Sequence, residues 1–532
     1  MLRLRWFAAA VFFSDWLLTA FTWLTWNRHP SMGQDPFLVF ALAARDDGML
    51  TLGNDHPLYP LILSLWASRT SAAFTLSKLF SLGVGAAALA AAAGLGTALF
   101  GLDAALLAAV LLSVNWVFLS LSMSLRAEVL LPLLFFVSWA CAWRGFREDG
   151  RWFLAAGAAA GLAALTKGTG TLLALAWAAA FLLAAWRDRT LWRRAPWYLA
   201  GFLGTAGFLW WANHAVLGDA TYNYSTRHAL WLDSWWDAAG TPLADQSFAG
   251  FLARHGWLGI PRRLFSGMWT FAPVWLATLS PSPSFPIFLY ARWPLAAAAA
   301  WSLWRARRTA WEALRRFDGA ALYTAFLPAG FFALFSWYHQ VSPSERFVAP
   351  LSPMLYLLAA AAFVPELRRF GAWARRRQPA VNAAAAGVGL LAAFTAVGLA
   401  IKVAVWGVAN PFVADRPEPC YADAMAWTAS RQGKVLYGPS VDLSVYSLPR
   451  SGVAVGAPEG GPPPDLGAWL RERGIRSAVA DWDMARIGFF EGTLESLPEG
   501  GVKVLKLPKG WREAGRDRLH EPPHLVLLEE LP

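Results

Sequence analysis

The chain is short of charge. Only 15% of its 532 residues are Asp, Glu, Lys or Arg, while 57% are hydrophobic; soluble proteins carry about 25% charged residues. A soluble chain of this length would fold as three or four domains of roughly 150 residues, and so few charges cannot cover their surfaces. That excludes an ordinary soluble enzyme, a disordered scaffold and a nucleic-acid module. Cysteine is nearly absent: Cys141 ends an apolar run and Cys420 lies in a polar tail. They are expected on different sides of a membrane, so no disulfide framework is expected. There is no internal repeat, Walker motif, CxxC, HExxH or GxSxG, the signatures of several nucleotide, metal and serine chemistries.

Long apolar runs are what the sequence has instead. They predict about eleven spans, at 6–26, 72–99, 104–122, 127–143, 152–166, 169–186, 197–217, 284–304, 320–337, 347–364 and 381–408. The run 58–67 is too short to cross and reads as a re-entrant or interfacial piece. The first run follows Arg3 and Arg5 like a signal peptide, but it is as long as a full span and no small-x-small cleavage site follows. It reads as an uncleaved helix.

The net charge of +11 does not point to nucleic acid, because the arginines cluster in short loops. The clusters are Arg144, Arg147 and Arg151; Arg187, Arg189, Arg193 and Arg194; Arg305 to Arg316; and Arg368 to Arg377. Eleven spans with a cytoplasmic N-terminus put all four on the cytoplasmic side, as the positive-inside rule asks. Loops 27–57, 123–126, 167–168, 218–283 and 338–346 then face outward, with everything after about Pro411. The expected domains are a membrane domain, 1–410, and an extracytoplasmic α/β domain, 411–532. In the latter, KVLYG (434–438), GVAVG (452–456), IRSAVAD (475–481), VKVLKL (502–507) and HLVLL (524–528) read as strands, and 465–474 as an amphipathic helix ended by glycine.

A charge at bilayer depth costs on the order of 3 kcal/mol, so ionisable residues on apolar ground carry the information. Lys167 stands in LTKGTG, the only lysine between Lys78 and Lys402. Helix from Trp152 rises about 24 Å by that point, which brings Lys167 to the outer surface. It reads either as a lysine snorkelling to water or as a cation facing an anionic headgroup. Arg126 and Glu128 open the fourth span and could be a simple helix-start pair. Arg346, beside Glu345, opens another. Three outer hairpins thus place one cation each at one depth, which suits a phosphate or pyrophosphate.

The first outer loop supplies carboxylates. Asp35 starts the amphipathic DPFLVFALAARD, as an N-cap or as a base held over the membrane. Asp55 and His56 precede Pro57-Leu58-Tyr59-Pro60, as turn formers or site residues. Asp46 and Asp47 read as solvated, and Asp15 as an internally paired residue of the first span. The loop 218–283 is rich in Trp and Tyr, as an interface belt or a sugar-stacking surface. It also carries Arg227 and His228, candidates for acceptor or headgroup contact.

These segments resemble a family. Asp35 after the first span, then HPLYPLILSLW, LAALTKGTG with Lys167, RFVAPLSPMLYLLAA with Arg346, and SLRAEVLL are similar to motifs of the GT-C fold glycosyltransferases that use lipid-linked sugars. The nearer relatives are bacterial dolichyl-phosphate-mannose-protein mannosyltransferase-like proteins and lipid A aminoarabinose transferases. The matches run in the family's order over about residues 1–405. The sequence departs at Pro36, where an acidic residue often stands, and in having one proline after His56 where the family often has two.

The resemblance implies an α-helical polytopic membrane protein in the cytoplasmic membrane. It would move a sugar from a polyprenyl-phosphate donor to a protein, lipid A or other envelope acceptor on the outer side. A phosphate leaves without an acid catalyst, so the chemistry needs one base and several cations rather than a glycosidase carboxylate pair. Asp35 is expected as the base, inverting the sugar in a single displacement. Lys167, Arg346 and Arg126 are expected on the lipid phosphate. Asp55, His56, Tyr59, Glu128, Arg227 and His228 are expected to position sugar or acceptor. No cofactor is required, and a divalent cation on Asp35 and Asp55 stays open. The other readings are a flippase or secondary transporter for lipid-linked sugars and a non-catalytic scaffold. Only the transferase needs Asp35 and the cations on one outward cavity.

Overall fold

The computed structural model describes residues 35–46, 56–68, 71–234, 241–279, most of 300–375 and most of 465–531, with residues 13, 16, 17, 427, 430, 434–437 and 452–454. Asp55, the predicted spans 284–304 (in the main) and 381–408, and most of 6–26 lie outside the described residues. Helices dominate the first part: α1 (Asp35–Asp46), α2 (Leu58–Ser64), α3 (Ser71–Phe100), α4 (Leu102–Ser113), α5 (Trp116–Ser122), α6 (Leu130–Arg147), α7 (Trp152–Thr166), α8 (Thr171–Arg187), α9 (Ala195–Leu217), α10 (Phe248–His255), α11 (Gly259–Thr278), α12 (Gly319–Tyr338) and α13 (Ser352–Arg375). Among the described residues, five helical stretches are long and apolar enough to cross a bilayer: Leu76–Phe100, Ala127–Arg147, Gly168–Arg187, Gly319–Tyr338 and Glu345–Arg369.

Two elements differ from the sequence reading. The run 104–122 is not one helix: α4 and α5 meet at Asn115. Its side chain accepts from the Phe118 amide at 2.8 Å, capping α5 and ending the continuous ladder. The loop 218–283 contains the 20-residue helix α11. Arg262, Arg263, Gly267 and Pro273 interrupt its apolar run, which hides it from a hydropathy reading. Arg263 is buried nonetheless. It donates to Trp337 O at 2.9 Å and Leu232 O at 2.7 Å, and lies over the Trp337 ring. At Gly267 a Cβ would strike the Ser336 carbonyl, so α11 and α12 touch backbone to backbone.

The same close approach joins α7 to α9. A Cβ on Gly157 would meet Tyr198 O, on Gly161 Thr205 Oγ1 and Phe202 O, and on Gly201 Leu154 O. Small residues at four-residue spacing allow such approach where no hydrophobic effect drives apolar helices together. Trp177 of α8 stacks on Tyr198 at 3.8 Å and closes the third side.

At one end of these helices the arginine clusters are tied together. Arg147 pairs with Asp318 at 2.7 Å, Arg187 lies over Phe317, Arg194 donates to Gly145 O, Arg305 faces Glu366 at 3.7 Å and Arg368 pairs with Asp103 at 3.0 Å. Lys167 and Arg346 are at the other end, one at the finish of α7 and one just before α13.

The C-terminal strands are β1 (Lys434–Tyr437), β2 (Gly452–Ala454), β3 (Ile475–Asp481), β4 (Leu494–Ser496), β5 (Val502–Val504), β6 (Trp511–Arg516) and β7 (Leu525–Glu530), with helix α14 (Leu466–Glu472) before β3. The five-stranded sheet has the order β2-β1-β3-β7-β6, parallel among the first three and antiparallel beyond, while β4 and β5 pair separately. Central β3 is buried at every position but Arg476, which explains its near-continuous apolar sequence. Asp465 caps α14 at Ala468 N, and Gly474 (φ +69°) turns the chain into β3.

Candidate functional site

The site starts from the breaks between helices. After α5 the chain runs extended through Arg126 into the 3-10 turn Ala127–Val129, which carries Glu128 to the mouth of α6. At the finish of α7, Lys167 is extended and Gly170 N returns to Lys167 O at 2.8 Å, turning the chain into α8. The 3-10 turn Glu345–Phe347 brings in Arg346.

These three breaks converge. Lys167 Nζ is 2.5 Å and Arg346 Nε 3.8 Å from Glu128 Oε1. The carboxylate is 5% exposed, while Lys167 and Arg346 are 31% and 37% exposed. The negative charge therefore lies beneath, and the cations keep open surface. Phe347 is shared by both: Lys167 Nζ is 5.3 Å and Arg346 Cζ 5.2 Å from its ring centroid. Phe347 itself stacks on Phe335 at 4.8 Å. Arg126, half-buried, feels both Glu128 and Arg346. Three cations gather around one buried carboxylate, and charge-assisted contacts from such groups are the kind that hold a phosphate.

The first loop adds its own side. His56 is buried, with Nε2 2.7 Å from Asn223 Nδ2. Burial, helped by the Lys167 charge against a backbone contact at Ala164, pushes its pKa down to about 4. The Asn223 amide donates to Nε2, so the ring is neutral. Tyr59 bonds Ser81 at 2.9 Å and lies beside Glu128 and the Arg126 backbone. Phe37, two residues after Asp35, meets Tyr59 edge-on at 5.5 Å. Leu38, Ala41 and Leu42 of α1 share a core with Leu63, Leu125 and Leu130. Helix α1, with Asp35 as its first residue, thus packs on the strip that carries Arg126 and Glu128.

Arg227 and His228 are engaged elsewhere. Arg227 pairs with Asp219 at 2.5 Å, and His228 Nδ1 lies 3.0 Å from Gln246 O. Glu128 lies under the cations as their counter-charge. Asn223 and Phe347 were not singled out by sequence. Asn223 had one signal, as the cap of a short turn whose Thr226 amide it accepts at 3.0 Å. Phe347 had only its place beside Arg346.

His56 makes the cluster's packing pH-dependent. Its pKa is lower folded than the usual value near 6.5, so the unfolded chain takes up the proton first. Stability falls as pH drops from about 6.5 towards 4. A His56→Asn variant is expected to lose less thermal stability between pH 7 and pH 5 than the wild type, by differential scanning fluorimetry at both values. Equal losses would remove His56 as the titrating group.

What fold and site define together is a polytopic helical membrane protein with a cationic cluster at one end of its helices. Residues 54–211 match the dolichyl-phosphate-mannose-protein mannosyltransferase family. No curated protein matches the chain in sequence. Among solved structures, it is similar to ArnT from Cupriavidus metallidurans bound to undecaprenyl phosphate, with a TM-score of 0.55, 16% identity and 97% of each chain covered. The apo state of ArnT from that organism gives 0.55 and 15%, over 98% of this chain and 97% of that one. The Archaeoglobus fulgidus oligosaccharyltransferase tethered with an acceptor peptide gives 0.48 and 12%, over 93% of this chain and 74% of that one. The fold of the chain is the GT-C fold, with β-sheet in its C-terminal part.

Proposed function

We propose that this protein is a glycosyltransferase that takes a sugar from a polyprenyl-phosphate donor and passes it to an acceptor hydroxyl on the outer side of the cytoplasmic membrane. The observation that carries the reading is the convergence of Lys167, Arg346 and Arg126 around buried Glu128. In the reaction the acceptor oxygen attacks the anomeric carbon, the bond to the phosphate oxygen breaks, and the configuration inverts. The leaving phosphate gains charge, and preorganised cations stabilise that gain where water is scarce. Asp35, the first residue of α1, is the base we assign to the acceptor proton. His56 and Tyr59 hold the start of α2 beside the cations. The C-terminal domain faces the same outer side. The cations supply the electrostatics that a metal would, so activity is expected to survive chelation. A divalent ion on Asp35 and Asp55 is the competing arrangement.

The test is release of free polyprenyl phosphate from a radiolabelled polyprenyl-phosphate hexose by purified protein with an envelope acceptor fraction. Release should require the acceptor, persist in EDTA and fall about a hundredfold in Asp35→Asn. Equal release by the variant would remove Asp35 as base. Movement of intact donor across vesicles without cleavage would favour the flippase.

A further inference from the structure

One buried polar group inside the helices serves none of the roles above. Asn115 is fully buried between α4 and α5. Its amide nitrogen donates to Thr278 O at 2.5 Å and to the Tyr356 hydroxyl at 2.7 Å, and its oxygen caps α5. Tyr356 in turn donates to Leu279 O at 3.1 Å. The C-terminal carbonyls of a helix have no intrahelical partner; here Asn115 takes that of Thr278, the last residue of α11, and Tyr356 that of Leu279, its C-cap. Every hydrogen-bonding capacity of the Asn115 amide hydrogens is used, and fully satisfied networks of this kind are rigid.

The network grips the Arg346 segment from both ends. Upstream, the Thr278 hydroxyl shares its one proton between Val274 O of its own helix at 2.7 Å and, at 3.2 Å, the carbonyl of Glu345, the residue before Arg346. Downstream, Tyr356 lies on the first turns of α13, into which the segment runs. Between them Val117 and Leu121 of α5 bury against Ala349. The far end of α5 leads directly to Arg126 and Glu128. Asn115 is therefore the joint between the strip that supplies Glu128 and the strip that supplies Arg346.

We infer that Asn115, with Tyr356 and Thr278, is a positioning device that sets the spacing of Arg346 from Glu128 and thereby the grip on the lipid phosphate. The inference rests on the proposed role of Arg346. Asn115 is a positioning residue that acts through Arg346. A purely structural network would change stability without changing anion affinity.

The experiment measures binding of undecaprenyl phosphate to the full-length protein in detergent, by intrinsic tryptophan fluorescence, alongside melting temperature. Tyr356→Phe keeps the ring and deletes the hydroxyl, and with it the bond accepted from Asn115 and the one donated to Leu279 O; it should weaken binding at least about fivefold, the net worth of one buried hydrogen bond. Asn115→Ser keeps a capping residue for α5 but cannot reach Thr278 or Tyr356, and should weaken binding at least as much. Ser138→Ala deletes a buried hydrogen bond to Ala156 O on another pair of helices. It should lower the melting temperature and leave affinity unchanged. Combining Tyr356→Phe with Arg346→Ala should bind no worse than Arg346→Ala alone, because one residue acts through the other. Wild-type affinity in Tyr356→Phe, or additive losses in the double variant, would overturn the positioning role and leave the transferase reading intact. Absence of binding by the wild type would overturn both.

Discussion

Lys167→Met is expected to lower sugar transfer from a polyprenyl-phosphate donor by about a hundred- to a thousandfold while the protein still folds. Methionine is an unbranched side chain one atom shorter, which keeps the apolar stem and removes the ammonium with its charge and its donors. Glu128 would keep Arg346 as a neighbour at 3.8 Å. The competing view is that Lys167 exists to neutralise Glu128. Breaking a buried pair by removing one partner costs about 3–5 kcal/mol. Lys167 is 31% exposed, so solvent screening makes its loss smaller. Glu128→Gln is the sharper structural lesion, because it leaves Lys167, Arg346 and Arg126 without the carboxylate between them. The two views separate in the double variant Glu128→Gln/Lys167→Met. If the pair is only structural, the double variant regains both melting temperature and activity. If Lys167 grips the leaving phosphate, it regains melting temperature and stays inactive. Melting curves and transfer rates on the three variants decide this. A fully active double variant would end the phosphate-binding role of Lys167.

Gly161→Leu is expected to cost about 3 kcal/mol of stability, the upper end for overpacking because backbone is in the way, and to reduce accumulation of folded protein. At Gly161 a side chain would meet both Thr205 Oγ1 and the Phe202 carbonyl. Shortening Thr205 removes only one of these, so Gly161→Leu/Thr205→Ala should recover little; the backbone of α9 itself is in the way. Gly204, on the same helix, has open space around its Cβ position. Gly204→Ala should not destabilise the protein, and by helix propensity should be neutral or stabilising by up to about 1 kcal/mol. A milder change, Gly161→Ala, should leave a folded protein in which α7 and α9 are spread. Lys167 ends α7, and the loop after α9 brings Asn223 to His56, so spreading should also lower activity. Size-exclusion profiles, melting temperature and transfer rate measure these effects. A well-folded, fully active Gly161→Leu would show that the close approach is not needed.

The sequence was informative where a residue conflicts with its surroundings. Lys167, Arg346, Arg126 and Glu128 stand out because charge on apolar ground is costly, and the structure brings these four together. The helices α3, α6, α7, α8, α9, α12 and α13 overlap predicted spans because length and composition suffice to define them. Strands β1, β2, β3 and β5 fall within predicted segments and β7 overlaps one, running two residues beyond it to Glu530, whereas β4 and β6 have no predicted counterpart. WREAGR is charged because β6 is an edge strand, so it lacks the apolar signature. Helix α11 was missed for a related reason: its arginine is buried by carbonyl and ring contacts that only folding supplies.

What the sequence alone determined is that the chain is a polytopic helical membrane protein, and which ionisable residues demand an explanation. Both follow from local quantities, the hydropathy of a window and the cost of one charge. What only the tertiary structure decided is who partners whom. Glu128 lies beneath two cations, Arg227 is spent on Asp219, and Asn115 joins segments 163 and 241 residues away. Such partnerships depend on helix approach and on where each helix breaks, and those distances are set by packing among residues far apart in the chain.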